Sequence, residues 1–265
     1  MQSLFISITE HCNRFCMHCF SDQGVGQRSN NYLSLATLVS SLEKLKDAPF
    51  IMYLTGGEPL LHPQLGEIIH FLKRRAVVIL LTNGDLLTAG TFTTLKGMEQ
   101  VIISLKSTDN AYLREMQQKV KALRENAINV SSIFVVTRQN MSEIKPLLEF
   151  TQKLLLPLLI QPAYISPAHP QFGSLSLWKL DEQEWLFLDS LMSKYLLAEG
   201  SASYYRFWKS FYHGQVINPP FCQMGNDCLV MDVAGNHLTC FHQAGQSAPF
   251  PACFGEHCLS LFTYL

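Results

Sequence analysis

The sequence predicts an α/β chain: a parallel sheet of six strands curled into a partial (β/α)6 barrel of the TIM type, then a helical bridge and a small C-terminal β-hairpin and helix unit rich in cysteine. Three observations carry this expectation. Short continuous apolar runs alternate with segments whose apolar residues recur at helical spacing, the pattern of buried parallel strands covered by helices. Six such runs fall within about 160 residues, too few for a closed eight-stranded barrel. Each run ends in a polar or glycine-bearing segment, and ligands of α/β sheets gather at the carboxyl ends of strands. With 48% apolar and 15% charged residues among 265, the chain can bury a sizeable core.

Taken in order, the first strand is the apolar run Leu4-Phe5-Ile6-Ser7-Ile8, which leads into a cysteine loop. Residues 21–31 read as a polar surface loop. Ser34 caps a helix with Leu35, Leu38, Val39, Leu42 and Leu45 on one face, ending before Pro49. Residues 50–54 form the second strand, stopped by Thr55-Gly56-Gly57-Glu58-Pro59. Pro63 suits the first turn of a helix running to about residue 75. The third strand, 76–81, ends in Thr82-Asn83-Gly84. A short helix over 88–96 leads to the fourth strand, 100–105, which ends at Ser104. A helix capped by Asp109 and spanning 109–125 precedes the fifth strand, 129–136, followed by Thr137 and Asn140. Ser142, Lys145 and Pro146 open a helix to about 154, and 157–161 is the sixth strand.

From Ile165 the pattern changes. Pro167, Pro170 and Gly173 mark a loop. Asp181 and Glu184 form a capping arrangement for a helix to about 199, stopped by Gly200. The aromatic stretch 204–212 packs a bridging segment. These breaks divide the chain into residues 1–165 as core, 166–218 as bridge and 219–265 as C-terminal unit.

A formal net charge of −1, with basic residues spread along the chain, argues against a nucleic-acid partner. The chain has no apolar run of membrane-span length and no signal-peptide layout, so a cytoplasmic location without membrane attachment is expected. The eight cysteines fall into two clusters, Cys12, Cys16 and Cys19 at the start and Cys222, Cys228, Cys240, Cys253 and Cys258 at the end. A long apolar chain needs no disulfide staples, so clustered cysteines read as metal ligands.

Cys12-Asn13-Arg14-Phe15-Cys16-Met17-His18-Cys19 sets three soft ligands at C-x3-C-x2-C spacing, three corners of a site whose fourth corner has no thiolate. A zinc knuckle completed by His11 or His18 is the alternative, but zinc leaves Gly56-Gly57-Glu58-Pro59 unexplained. The two motifs together, over residues 3–165, resemble the radical S-adenosylmethionine (SAM) superfamily. The resemblance implies a four-iron four-sulfur cluster on Cys12, Cys16 and Cys19. SAM would bind the open iron and be cleaved reductively to a 5′-deoxyadenosyl radical, which takes a hydrogen atom from substrate. It also implies SAM contacts from Gly56, Gly57, Glu58, Asn83, Ser104, Thr137 and Asn140, with His18 reaching the adenine. Many peptide-acting members read Ser-Leu-Asp-Gly at the fourth strand, whereas this chain reads Ser104-Leu105-Lys106-Ser107. Lys106 therefore contacts a substrate carboxylate, contacts the methionine carboxylate, or is a solvated rim residue.

The C-terminal cysteines resemble the SPASM auxiliary-cluster region in its shorter, twitch form, with residues 230–239 as the hairpin. That implies one auxiliary iron–sulfur cluster on Cys222, Cys228, Cys240 and either Cys258 or Cys253; a structural zinc site is the alternative. The cysteine left over is either a hydrogen-atom donor, as in radical peptide epimerases, or a small buried hydrophobe. The expected function is hydrogen abstraction from a ribosomally made peptide, giving a crosslink or an epimer. A small-molecule dehydrogenase or rearrangement enzyme is the second reading, and a non-catalytic iron–sulfur carrier or sensor the third. The partners implied are a peptide or small-molecule substrate, a flavodoxin- or ferredoxin-type reductant, and a separate peptide-recognition protein.

Overall fold

Six parallel strands form where the apolar runs predict them: β1 (Ser3–Thr9), β2 (Ile51–Gly56), β3 (Val77–Thr82), β4 (Gln100–Leu105), β5 (Asn129–Val136) and β6 (Leu158–Pro162). The computed structural model describes residues 3–19, 30–163, 165, 169–195, 199–215 and 227–239. Between the strands lie α1 (Leu35–Leu42), α2 (Leu65–Leu72), α3 (Ala89–Thr94), α4 (Asn110–Glu125) and α5 (Ile144–Lys153). Then come α6 (Phe172–Leu175), α7 (Glu182–Tyr195), α8 (Glu199–Tyr212), β7 (Cys228–Met231) and β8 (His237–Leu238).

The strands join one sheet in the order β6-β5-β4-β3-β2-β1-β7-β8. Every pairing is parallel except that of β7 with β8. This is the partial barrel expected of six strand–helix units. The expected 230–239 hairpin adjoins the barrel sheet, because β7 pairs in parallel with the free edge of β1, Ser3 opposite Cys228.

Period-2 alternation sorts the strand side chains. Leu4, Ile6 and Ile8, Met52 and Leu54, Val78 and Leu80, Val101, Ile103 and Leu105, and Phe134 and Val136 are buried in one core. The helices meet them with Leu38, Ile68, Ile69, Leu72, Val120, Leu123, Leu147 and Leu148. Each such large aliphatic side chain contributes about 1.5–3 kcal/mol on full burial, so this face anchors the barrel.

Local signals set the helix starts. Ser34 Oγ accepts from Thr37 N–H, and Asp109 accepts from Ala111 and Tyr112 N–H. Asp181 and Glu184 form the expected reciprocal box, at 2.8 and 2.9 Å. Three expectations are corrected. Pro63 does not open α2, which begins at Leu65, because His62 takes the Gln64 N–H on Nδ1 at 3.0 Å and caps the turn itself. Ser142 lies in a 3-10 segment, Arg138–Glu143, ahead of α5. Gly200 does not end a helix but lies in the first turn of α8, where the cost of glycine is small against the aromatic packing that follows. Trp208 is 1% exposed, with Tyr205, Trp185 and Tyr212 rings around it. Tyr212 Oη ties α8 to the end of β6 by donating to Ala163 O at 3.0 Å. Among the described residues no helix is long and apolar enough to cross a membrane.

Candidate functional site

The cysteine loop leaves the carboxyl end of β1, and the turn after β2 is built to hold it. Gly57 N–H donates to Thr9 O at 2.7 Å and Glu58 N–H to His11 O at 2.8 Å. No side chain fits at either glycine: a Cβ on Gly56 would stand 2.2 Å from Thr9 O, one on Gly57 2.2 Å from His11 O, and Gly56 has φ +126°. The two glycines thus bring backbone against the base of the cysteine loop, where the sequence alone suggested only close approach to a ligand. Cys12, Cys16 and Cys19 are half-buried, and Cys19 N–H donates to Cys16 O at 3.0 Å. Among the described residues no three His, Cys, Asp or Glu side chains converge on one metal ion. A cubane cluster makes no such demand, since each thiolate binds a different iron. Three thiols on one irregular loop therefore suit a cluster with one iron left for another ligand.

Glu58 organises the next strand end. Its carboxylate is fully buried and accepts from Thr82 Oγ1 at 2.7 Å, Asn83 N–H at 2.8 Å and Leu60 N–H at 3.1 Å. Burial pushes its pKa above the usual carboxylate value, and the donors only partly offset this. Asn83, held in this way, donates from Nδ2 to Asn13 Oδ1 at 2.8 Å and accepts Asp85 N–H on Oδ1 at 3.0 Å.

Asp85 was not singled out from sequence. It pairs with Arg14 of the cysteine loop through Nε and, at 3.0 Å, through Nη2. Lys106 Nζ pairs with Oδ1 of the same carboxylate, the oxygen that Arg14 Nη2 also reaches, and Asn13 Nδ2 approaches Oδ2 at 3.3 Å. Burial raises the Asp85 pKa, but hydrogen bonds and charge from Arg14 and Lys106 more than offset that and hold it below the usual range. Lys106 is thus an ion-paired rim residue, with burial lowering its own pKa against the pull of Asp85. The clue in the sequence is the cation at 106, which needs a counter-ion, beside the Asn-Gly-Asp turn after β3.

The remaining candidates stand at or after the carboxyl ends of β1, β4 and β5. His18 is half-buried and its pKa is lowered by burial. Thr137 N–H donates to Asn140 Oδ1 at 2.7 Å and Asn140 Nδ2 to Val135 O at 3.0 Å, so this pair shapes the turn after β5. Ser104 is half-buried on the inner side of β4.

That inner side is chemically uniform. Strand residues facing away from the helix-covered core include Phe5, Ser7, Tyr53, Thr55, Ile79, Leu81, Gln100, Ile102, Ser104, Ser131, Ile133 and Val135. Most are half-exposed and none is charged. Phe5 and Tyr53 stack with centroids 4.3 Å apart and planes 4° apart, and Gln100 Nε2 donates to Ser131 Oγ at 2.8 Å. Cys228 lies on this side too, buried, with its Sγ 2.8 Å from Ser3 Oγ. Cys228 is at the opposite end of β1 from the cysteine loop, about 20 Å away at ~3.3 Å per residue. Cys222, Cys240, Cys253 and Cys258 lie outside the described residues.

The family model described as the Radical SAM superfamily matches residues 6–151. A probable GTP 3′,8-cyclase of Saccharolobus islandicus (strain L.S.2.15) is 29% identical over 170 residues, 58% of this chain and 54% of that protein. The GTP 3′,8-cyclase of Helicobacter pylori (strain HPAG1) is 28% identical over 249 residues, 83% of this chain and 74% of that protein. Among solved structures, Streptococcus suis SuiB bound to S-adenosylmethionine superposes with TM-score 0.66 at 13% identity, over 93% of this chain and 62% of SuiB. AdoMet-bound anSMEcpe superposes with TM-score 0.65 at 15% identity, over 91% and 74%. The chain thus spans about half the length of the Saccharolobus relatives and under two thirds of SuiB.

Proposed function

The chain belongs to the radical SAM superfamily, and we propose that it removes a hydrogen atom from an uncharged, peptide-like substrate held against the inner face of its sheet. The family's cofactors are a four-iron four-sulfur cluster and SAM; when bound, they supply a 5′-deoxyadenosyl radical. In this reading Cys12, Cys16 and Cys19 hold the cluster. The backbone at Gly56 and Gly57 fixes the cysteine loop and offers polar groups to the methionine end of SAM. His18, Ser104, Thr137 and Asn140 line the mouth toward the remainder of the molecule.

The observation that carries the substrate class is the neutral inner face. A nucleoside triphosphate brings several negative charges, and burying them without cations is costly. Among the described residues, the inner-face side chains named above supply none. Hydroxyls, amides and the Phe5–Tyr53 stack instead suit amide groups and uncharged side chains. SuiB, whose structure with precursor peptide SuiA superposes with TM-score 0.65, supports the same direction by fold. A nucleotide substrate is the second reading, favoured by the names of the relatives at 28–29% identity.

An auxiliary cluster on Cys222, Cys228, Cys240 and Cys258 or Cys253 belongs to the same proposal, supported by Cys228 facing the barrel interior far from the first loop. The fifth cysteine is then the candidate hydrogen-atom donor. A flavodoxin- or ferredoxin-type reductant and a leader-binding partner complete the reading. The test is anaerobic reconstitution followed by assay of 5′-deoxyadenosine with GTP and, separately, with short peptides encoded beside the gene. Peptide-stimulated turnover is expected. Turnover coupled to GTP consumption would replace the peptide reading with the nucleotide one, and no 5′-deoxyadenosine under any condition would remove the enzymatic reading.

A further inference from the structure

We propose that Asp85 is a positioning residue for the first cysteine loop, clamping its middle to the ends of β3 and β4 and balancing the two cations that meet on its carboxylate. The proposal rests on the reading that this loop carries the cluster. The bonds from Gly57 and Glu58 reach only its base, at Thr9 and His11. Farther along, between Cys12 and Cys16, the Arg14 guanidinium lays two nitrogens on the Asp85 carboxylate, and Asn13 touches both Asp85 and Asn83. A two-nitrogen fork fixes direction as well as distance.

The anchor itself is tightly fixed. Asp85 N–H is held by Asn83 Oδ1, and Asn83 N–H by the buried Glu58 carboxylate. From the helix side, Lys119 Nζ on α4 donates to Gly84 O at 2.8 Å and Asp85 O at 3.2 Å. The path from the buried core to the thiol-bearing loop is therefore a short series of hydrogen bonds ending in an ion pair. Asp85 and Lys106 side chains are 23% and 20% exposed, so solvent screening is reduced but not removed.

The charge arrangement has a second effect. Arg14 stands two residues before Cys16, Lys106 meets the same carboxylate as Arg14, and Asp85 is their shared counter-ion. Local charge and hydrogen bonding set the potential of a thiolate-held cluster. Replacing the carboxylate by its neutral amide leaves two uncompensated cations there, which favours the more negative reduced state and raises the potential.

The experiment compares wild type with Asp85→Asn, Asp85→Glu and Arg14→Gln in the full chain. In the metal-free protein, alkylation of Cys12, Cys16 and Cys19 is timed by mass spectrometry. Several-fold faster modification is expected in Asp85→Asn and Arg14→Gln, with recovery toward wild type in Asp85→Glu. In reconstituted protein, the EPR-monitored midpoint potential should rise in Asp85→Asn. Arg14 is 40% exposed, so Arg14→Gln opens the same contact without touching the core and answers the question even if Asp85→Asn fails to fold. Wild-type alkylation rates in Arg14→Gln and in any folded Asp85→Asn, together with an unmoved potential, overturn the proposal. If wild type binds no iron, the cluster reading fails, while the alkylation arm still decides whether Asp85 clamps the loop.

Discussion

Glu58→Gln tests the coupling between the Gly-Gly-Glu turn and the end of β3. The substitution keeps the shape of the side chain but sets an amide NH2 where Oε2 now accepts Asn83 N–H at 2.8 Å. Oε1 can keep Thr82 Oγ1 and Leu60 N–H, so one bond is lost and one buried donor faces another. A bond to a charged acceptor contributes about 1.5–3 kcal/mol and an unsatisfied buried donor costs about 1–3 kcal/mol. Against this stands relief from burying a charge, which is strong enough to raise the carboxyl pKa despite three donors. The expected net loss is about 2 kcal/mol. Urea denaturation of the metal-free chain followed by far-UV circular dichroism measures it, as a lower midpoint at unchanged slope. The raised pKa fixes the sign of the pH dependence. The folded chain keeps this proton to higher pH than the unfolded chain, so the group's contribution is greatest at low pH and is lost as pH rises through the folded value. Glu58→Gln should remove that slope. A stability within ~0.5 kcal/mol of wild type, the scatter of ordinary surface changes, would refute the reasoning.

Two further outcomes are expected. Gly57→Ala forces a Cβ to 2.2 Å from His11 O, so the cysteine loop must shift; iron and sulfide bound after reconstitution should fall well below wild type while the far-UV spectrum is preserved. His62 donates from Nε2 to Leu33 O and accepts Gln64 N–H on Nδ1, which only the neutral ring can do, and burial lowers its pKa below 6.5. Its contribution is full above that value and lost as pH falls toward the folded one. His62→Gln should therefore flatten the loss of stability between about pH 7.5 and 5.5, and an unchanged profile would remove His62 from that dependence.

Strands were legible because burial on a parallel sheet leaves continuous apolar runs. β4 and β5 stand at the residues the pattern marks, and Asp109 and Ser34 cap where their side chains indicate. Helix starts after the Gly-Gly-Glu turn were less legible, since His62 caps through its ring nitrogen and follows no composition rule. Lys106 called for a counter-ion, but Asp85 could not be matched to it from the sequence: its partners Arg14 and Lys106 are 71 and 21 residues away, and only the fold joins them. Spacing likewise identified the residues 230–239 hairpin but not its attachment, because pairing of β7 with β1 depends on which sheet edge is left open.

That attachment governs how the protein is made. β1 is translated well before its neighbour across the Ser3–Cys228 contact, which lies 225 residues later. At roughly 5–20 residues per second, one edge of the first strand waits about 10–45 s after synthesis for its partner. An unpaired edge of this kind invites pairing with other chains. The nascent chain is thus exposed to aggregation at this early-made edge until β7 arrives, and a chain cut short before Cys228 would leave the edge open.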